Sequence, residues 1–200
     1  YVLPGHSETV TATDLTFNIA GVQVVGIGQG SKRPTLNLDA TGSTVAITAA
    51  ETSLENFLIT GGVDAITAVM TISAADVKIL NTEIRSVTGD PIVSILTTAA
   101  ANRLEIAGCR FTGSANATAT AYIALVGGDE IKIHDCRFDG QASVGFIDVR
   151  TTATTDLEVN DCYMRSRGAG EVFLKDTITG STGMIGPNIY CRLSANAANV

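Results

Sequence analysis

Apolar and polar residues alternate in short bursts along this chain, and the bursts recur. Residues 104–111 read LEIAGCRF, residues 131–138 read IKIHDCRF and residues 157–164 read LEVNDCYM. The apolar positions are Leu104, Ile106, Cys109 and Phe111 in the first copy, and Ile131, Ile133, Cys136 and Phe138 in the second. A period of two predicts strands whose alternate side chains face a core. Looser copies stand at 52–59 (TSLENFLI), 77–84 (VKILNTEI) and 22–29 (VQVVGIGQ). From Phe57 through Thr82, Cys109 and Cys136 to Cys162, the intervals at the cysteine place are 25, 27, 27 and 26 residues. A fixed interval of this size marks a repeat architecture, in which each unit buries its apolar face against its neighbours.

The alternation skips one beat before the cysteine place, at Asn56, Asn81, Gly108, Asp135 and Asp161. These residue types accept the bent, left-handed backbone of a corner, so each unit reads as strand, sharp corner, strand. After a variable loop a third strand follows, at 91–97, 121–127, 145–151 and 171–177. Three strands per unit predict an all-β, right-handed parallel β-helix (β-solenoid) whose coils stack at roughly 4.8 Å. About seven coils of roughly 26 residues fill one domain over 1–200, with 1–20 as N-terminal cap and lead-in to the first coil and 186–200 as an irregular end. YCRLSAN at 190–196 places Cys191 and Leu193 where a further copy has its cysteine and its next apolar residue.

The position four before the cysteine tests this register, because it faces solvent and stacks on its neighbours. It reads Lys78, Glu105, Lys132 and Glu158. Opposite charges on adjacent strands stabilise a sheet, and like charges destabilise it. The position after the cysteine reads Arg110, Arg137, Tyr163 and Arg192, a mildly repulsive column that would welcome an acidic partner but is read as solvated arginines spread by their long stems. In the third strands Tyr122, Ala124, Phe146 and Phe173 are candidates for an outward apolar face.

The chain has 200 residues, a formal charge of -7, 20 Gly, 4 Cys and no Trp. The negative balance argues against a nucleic-acid partner, which needs clustered Lys and Arg. No apolar run reaches the length of a membrane span. The chain begins at Tyr1 without a signal-peptide pattern, which reads as a processed or partial chain. The cysteines lack the close pairs of a zinc site, and stacked inward thiols lie further apart than disulfide geometry allows. They read as reduced core residues of a protein folded in a reducing cytoplasm.

Other motifs carry less. GIGQGS at 26–31 has phosphate-loop glycine spacing, but KRPTLNL follows with a proline and a strand, so no helix N-terminus is offered. His134 beside Asp135, and His6 in the N-terminal loop, are weighed as catalytic bases or metal ligands and read as corner and loop residues. Asp135, Asp139 and Asp161 could gather oxygens for Ca²⁺ and are read instead as solvated turn residues. No catalytic, cofactor-binding or metal residue is assigned. Asn116-Ala-Thr118 matches a glycosylation sequon by pattern only.

VLPGHSETV at 2–10 and GVQVVGIGQGSKRPTLNL at 21–38 resemble the opening of proteins of the pectate-lyase-like right-handed β-helix superfold. The repeat style along the whole chain is similar to β-helix structural proteins of tailed bacteriophages. The resemblance implies polysaccharide lyases, hydrolases and esterases on one side and non-catalytic virion parts on the other, and a fold alone does not choose. The chain lacks the paired-aspartate and Gly-His-Gly motifs of polygalacturonase-like enzymes, and glycoside hydrolysis needs two carboxyls flanking the bond. Asp135, Asp161 and Arg137 are the nearest candidates for a Ca²⁺-lyase site. The expectation is therefore a non-catalytic virion protein, a capsid decoration or cement protein. It is expected to form a homotrimer and to meet the major capsid protein. The alternative is a tail-spike-type β-helix that binds or degrades polysaccharide. An ice-binding or adhesive solenoid, resting on Thr97, Thr98, Thr151, Thr152, Thr154 and Thr155, comes last because these residues form no regular column.

Overall fold

The computed structural model describes residues 1–11, 15–86, 89–113, 119–168 and 171–192. Over them the chain winds as an all-β parallel solenoid of about seven turns. Three parallel sheets form its walls. Sheet A has eight strands, from Ser7–Val10 to Tyr190–Arg192; sheet B has seven, from Leu15–Phe17 to Leu174–Asp176; sheet C has seven, from Gln23–Val25 to Gly183–Ile185. One coil shows the path: Lys78–Leu80 in sheet C, Glu83–Ser86 in sheet A, Val93–Thr97 in sheet B, then Glu105–Ala107 back in sheet C. The only helical piece among the described residues is a short 3-10 turn at Gly30–Lys32.

Alternation puts one apolar row of each wall inside. In sheet A the inward ladder runs Leu36, Ile59, Ile84, Phe111, Phe138, Met164, each paired with the next. In sheet C it runs Leu54, Ile79, Ile106, Ile133, Val159. All of these belong to one continuous buried core. The charge column pairs as the alternation requires: Lys78 faces Glu105, Glu105 faces Lys132 and Lys132 faces Glu158. Lys78 Nζ lies 2.7 Å from Glu105 and Lys132 Nζ 4.0 Å from Glu158.

The cysteine place explains itself. Phe57, Thr82, Cys109, Cys136 and Cys162 are all buried, and the thiols are free. The Thr82 hydroxyl donates to the Leu80 carbonyl at 3.0 Å; Cys109 and Cys136 likewise point Sγ at the carbonyls of Ala107 (3.4 Å) and His134 (3.2 Å). A small side chain with a proton to give fills the corner and meets a carbonyl two residues back, which Thr and Cys both do. From the second copy on, the residue before it has positive φ: Asn56 62°, Asn81 48°, Gly108 63°, Asp135 55°, Asp161 49° and, one coil on, Asn188 60°.

The last coil departs from expectation. Cys191 pairs with Met164, and Arg192 with Arg165, so Cys191 sits two places beyond the cysteine column. Asn188 is the corner and Ile189 takes the cysteine place, which makes Tyr190 the residue stacked on Tyr163. Leu193 lies outside the described residues. The stretch expected to be irregular from 186 contains the strand Tyr190–Arg192.

The outward apolar face expected in sheet B is a second correction. Tyr122 and Phe146 are buried, because both turn inward at the start of their strands before the alternation settles on Ile123 and Leu125, and on Ile147 and Val149. They close an aromatic cluster: Phe111 stacks on Phe138 with ring centroids 4.9 Å apart, and Tyr122 and Phe146 lie 5.2 Å apart. Phe173 packs edge-on against Phe138 at 6.0 Å. Ala124 belongs to a separate buried cluster with Val93 and Ala121.

In the N-terminal segment, Ser7–Val10 pairs with Thr35–Leu38 and Leu15–Phe17 with Val45–Ile47, which makes these strands the walls of the first coil. Among the described residues none covers the end above them. Val2, Val10, Leu15, Phe17, Val24 and Leu36 line a hollow of about 450 Å³, with His6 and Glu8 at its rim.

Candidate functional site

The residues weighed as chemistry do not converge. Asp135 and Asp161 stand in the corner column between sheets C and A, each engaged locally. Asp135 Oδ2 lies 2.8 Å from His134 Nδ1, and Asp161 Oδ1 accepts from Asn188 Nδ2 at 2.7 Å. Arg137 turns instead to the outer face of sheet A, its guanidinium 5.0 Å from the centroid of the Tyr163 ring, a cation–π contact. His134 also reaches Glu105 at 3.4 Å; the Asp135 hydrogen bond first, and Glu105 after it, raises the His134 pKa. His6 sits 3.8 Å from Glu8 at the open end.

Asp139 does not join Asp135 and Asp161. It stands on the outer face of sheet A, buried by its neighbours, where Arg167 Nε donates to it at 2.8 Å and Arg165 lies at 3.6 Å. Burial pushes its carboxyl up, but the Arg167 hydrogen bond and the charges of Arg167, Arg165 and Arg137 outweigh burial and hold it below the ordinary range. Buried Glu83 is held by Arg85 at 2.7 Å and Arg33 at 3.4 Å, and buried Asp148 by Arg150 at 2.6 Å. No group of three or more His, Cys, Asp or Glu among the described residues is arranged to hold a metal ion.

The glycine-rich 26–31 segment is a corner. Asn56 Nδ2 donates to the carbonyls of Gly26 (2.7 Å) and Gly28 (2.9 Å), closing the loop on the next coil. Gly28 has φ 128°, and a Cβ there would come within 2.3 Å of the Lys32 carbonyl oxygen. The Tyr122 hydroxyl lies against Gly113 and Gly140, where added Cβ atoms would fall 2.2 and 2.0 Å from it. Burial, and then Asp90, Glu171 and Asp139, push this phenol far up. The sequon at 116–118 lies outside the described residues.

Two surfaces emerge that the sequence pattern showed only in part. The outer face of sheet A carries Arg85, Arg110, Arg137, Arg165 and Arg192, all exposed, with Arg167 beside them. Only the column after the cysteine was legible; the second, three places after it, holds Arg85, Asp139 and Arg165. Sheet C is flanked by a further left-handed corner, Glu51, Asp76, Arg103, Glu130 and Asp156, with φ between 50° and 58°. Its signal is a place six before the cysteine. There Arg103 clamps Asp76 with two hydrogen bonds of 2.6 and 2.7 Å.

No family model, curated protein or solved structure matches the chain.

Proposed function

We propose that this solenoid is a non-catalytic structural part of a tailed-phage virion, a capsid decoration or cement protein that forms a homotrimer and meets the major capsid protein. The observation that carries the reading is that three of the five buried carboxylates among the described residues, Glu83, Asp139 and Asp148, are committed to arginines, and a fourth, Glu171, accepts from the Ala142 N–H at 3.1 Å, while the hydrogen-bond ladder runs through eight strands of sheet A. Carboxyl chemistry on glycans needs an acid whose pKa is raised and a second carboxylate across the bond. Asp139 is shifted the other way. A stacked ladder with engaged charges makes a stiff rod whose sides and ends are its working surfaces. The virion context comes from the likeness of residues 2–10, 21–38 and the repeat style to phage β-helix proteins.

The test is copy number on purified particles. The polypeptide should band with intact virions in a density gradient, at a stoichiometry fixed by capsid sites and divisible by three. Recovery only from the free lysate fraction overturns the reading. Incubation with host capsule polymers, with and without Ca²⁺, should release no new reducing ends and no unsaturated product. Turnover abolished in Asp135→Ala or Asp161→Ala would establish the tail-spike alternative.

A further inference from the structure

Charge on this solenoid is sorted by wall. Sheet A and its outgoing loop hold Arg85, Arg110, Arg137, Arg165, Arg167 and Arg192 against the carboxylates Glu83 and Asp139, with Glu8 of the first strand lining the hollow instead, so the wall is basic on a chain whose formal charge is -7. Sheet C has the opposite sign. Its first corner column contributes Glu51, Asp76, Glu130 and Asp156, with Asp129 beside it. Its strands add Glu55, Glu105 and Glu158, and the second corner adds Asp135 and Asp161. The cations among them are Lys78, Arg103 and Lys132, and these are already spent on Glu105, Asp76 and Glu158. Glu51, Asp129, Glu130, Asp135, Asp156 and Asp161 remain exposed.

We propose that the chain binds a second copy of itself through these two walls, the arginine face of sheet A docking on the acidic face of sheet C of its neighbour. Three features favour a copy of this chain over another partner. Both walls carry their charges in columns with the same coil spacing, so one matches the other row by row. The charges also stand at the same levels: Glu130 and Asp135 flank the strand Lys132–His134 of the coil that carries Arg137, and Asp156 and Asp161 flank Leu157–Asn160 of the coil that carries Arg165. Lastly, the face offers arginine with tyrosine, Tyr163 and the exposed Tyr190, the residue types that carry most energy in protein interfaces.

The contact is heterologous, and its walls meet at the corner column from Asn56 to Asn188 within each chain. Repeating it turns each copy by a fixed angle about an axis near that corner. With charges at equal levels no axial shift is needed, so the copies stay side by side, and the ring closes at the number of copies for which the angle between the two walls divides a full turn. This pairing rests on the homotrimer proposed above and names its faces; it replaces the apolar face that burial of Tyr122 and Phe146 removes.

The experiment is sedimentation velocity with light scattering on the whole chain, at about 0.05 and 0.5 M NaCl. A contact between opposed charges should assemble at low salt and lose roughly tenfold or more in affinity at high salt. Arg110→Glu with Arg137→Glu should give a monomer at low salt, as should Glu130→Arg with Asp156→Arg, a column where Arg103 already accommodates a long cation. Combining all four reversals should restore assembly. A trimer indifferent to salt and to both reversals overturns the pairing while keeping the trimer. A salt-sensitive ring of another size keeps the pairing and overturns the trimer. A monomer at every salt overturns both, and if a reversed variant fails to fold, the salt response of the native chain decides alone.

Discussion

Phe138→Ala is the sharpest test of how the coils hold together. Phe138 is fully buried, stacked on Phe111 at 4.9 Å, edge-on to Phe146 at 6.1 Å and to Phe173 at 6.0 Å. Truncating a buried phenylalanine costs about 3–5 kcal/mol, and the lost ring pairs lie toward the upper part of that range. At about 2–4 °C per kcal/mol for a chain of this size, the unfolding midpoint should fall by roughly 6–20 °C. Phe17→Ala is the control: the same atoms are deleted, but Phe17 is half-buried at the open first coil, where solvent already reaches the hollow. Its cost should be at most about 1–2 kcal/mol. Because a solenoid coil contacts only its neighbours, hydrogen exchange should accelerate first in Arg110–Thr112 and Tyr163–Ser166, the strands on either side. Thermal melts followed by circular dichroism, with exchange read by mass spectrometry, measure both. Equal midpoints for the two variants, or exchange rising first at the chain ends, would refute the stacked-core argument.

Three further outcomes follow from the same geometry. Native Cys136 should resist a bulky thiol reagent, since its pKa is pushed up by the Cys109 thiol and by burial, and Cys136→Asp should unfold the coils around it; rapid labelling under native conditions contradicts this register. Glu105→Lys puts three lysines in one column, losing the 2.7 Å contact to Lys78, and should destabilise by about 0.5–1.5 kcal/mol at low salt and less at high salt, read from urea midpoints. The folded pKa of Asp139 lies below its unfolded value, so its stabilisation is present above the ordinary aspartate range and is lost as pH falls through the lower folded value; Asp139→Asn should flatten the acid limb of a stability–pH curve below about pH 4, and an unchanged limb counts against the arginine clamp.

The parts of this fold legible in the sequence were those in which one side-chain property maps onto one direction. Period two gave the inward ladders, and Asn, Gly or Asp before the cysteine gave the first corner. The second corner was not legible because Glu51, Arg103 and Glu130 are not types that signal a left-handed backbone. There the conformation is imposed by the inter-coil ladder: Arg103 N–H donates to the Asp129 carbonyl at 2.8 Å and Glu130 N–H to that of Thr155 at 3.0 Å. In the last coil the cysteine is not the marker, because Cys191 pairs with Met164 and lies two places past the column. The backbone marker is Asn188, and Ile189 serves as well as a thiol in a place that also takes Phe57 and asks only for a side chain that can be buried. The basic wall was half legible, since a single column of arginines means little until the neighbouring column is known to share its face.

The two ends and the two charged walls answer to different forces, and this separates them experimentally. Tyr1, Leu3, Ile19 and Ile27 are exposed in the opening coils, and Met184, Ile185 and Tyr190 in the last. Among the described residues the outermost strands of each sheet have no further partner, and such edges beside apolar side chains invite end-to-end addition, which would extend every sheet without turning it. Contact of that kind is driven by burial and is strengthened by sulfate, which is excluded from protein surfaces. Contact between the arginine and carboxylate walls is weakened by any added ion. One titration therefore reads the direction of assembly: loss of oligomer on adding either sodium chloride or sodium sulfate places the interface on the walls. Growth in sulfate with no loss in chloride places it at the ends, and removes the wall pairing.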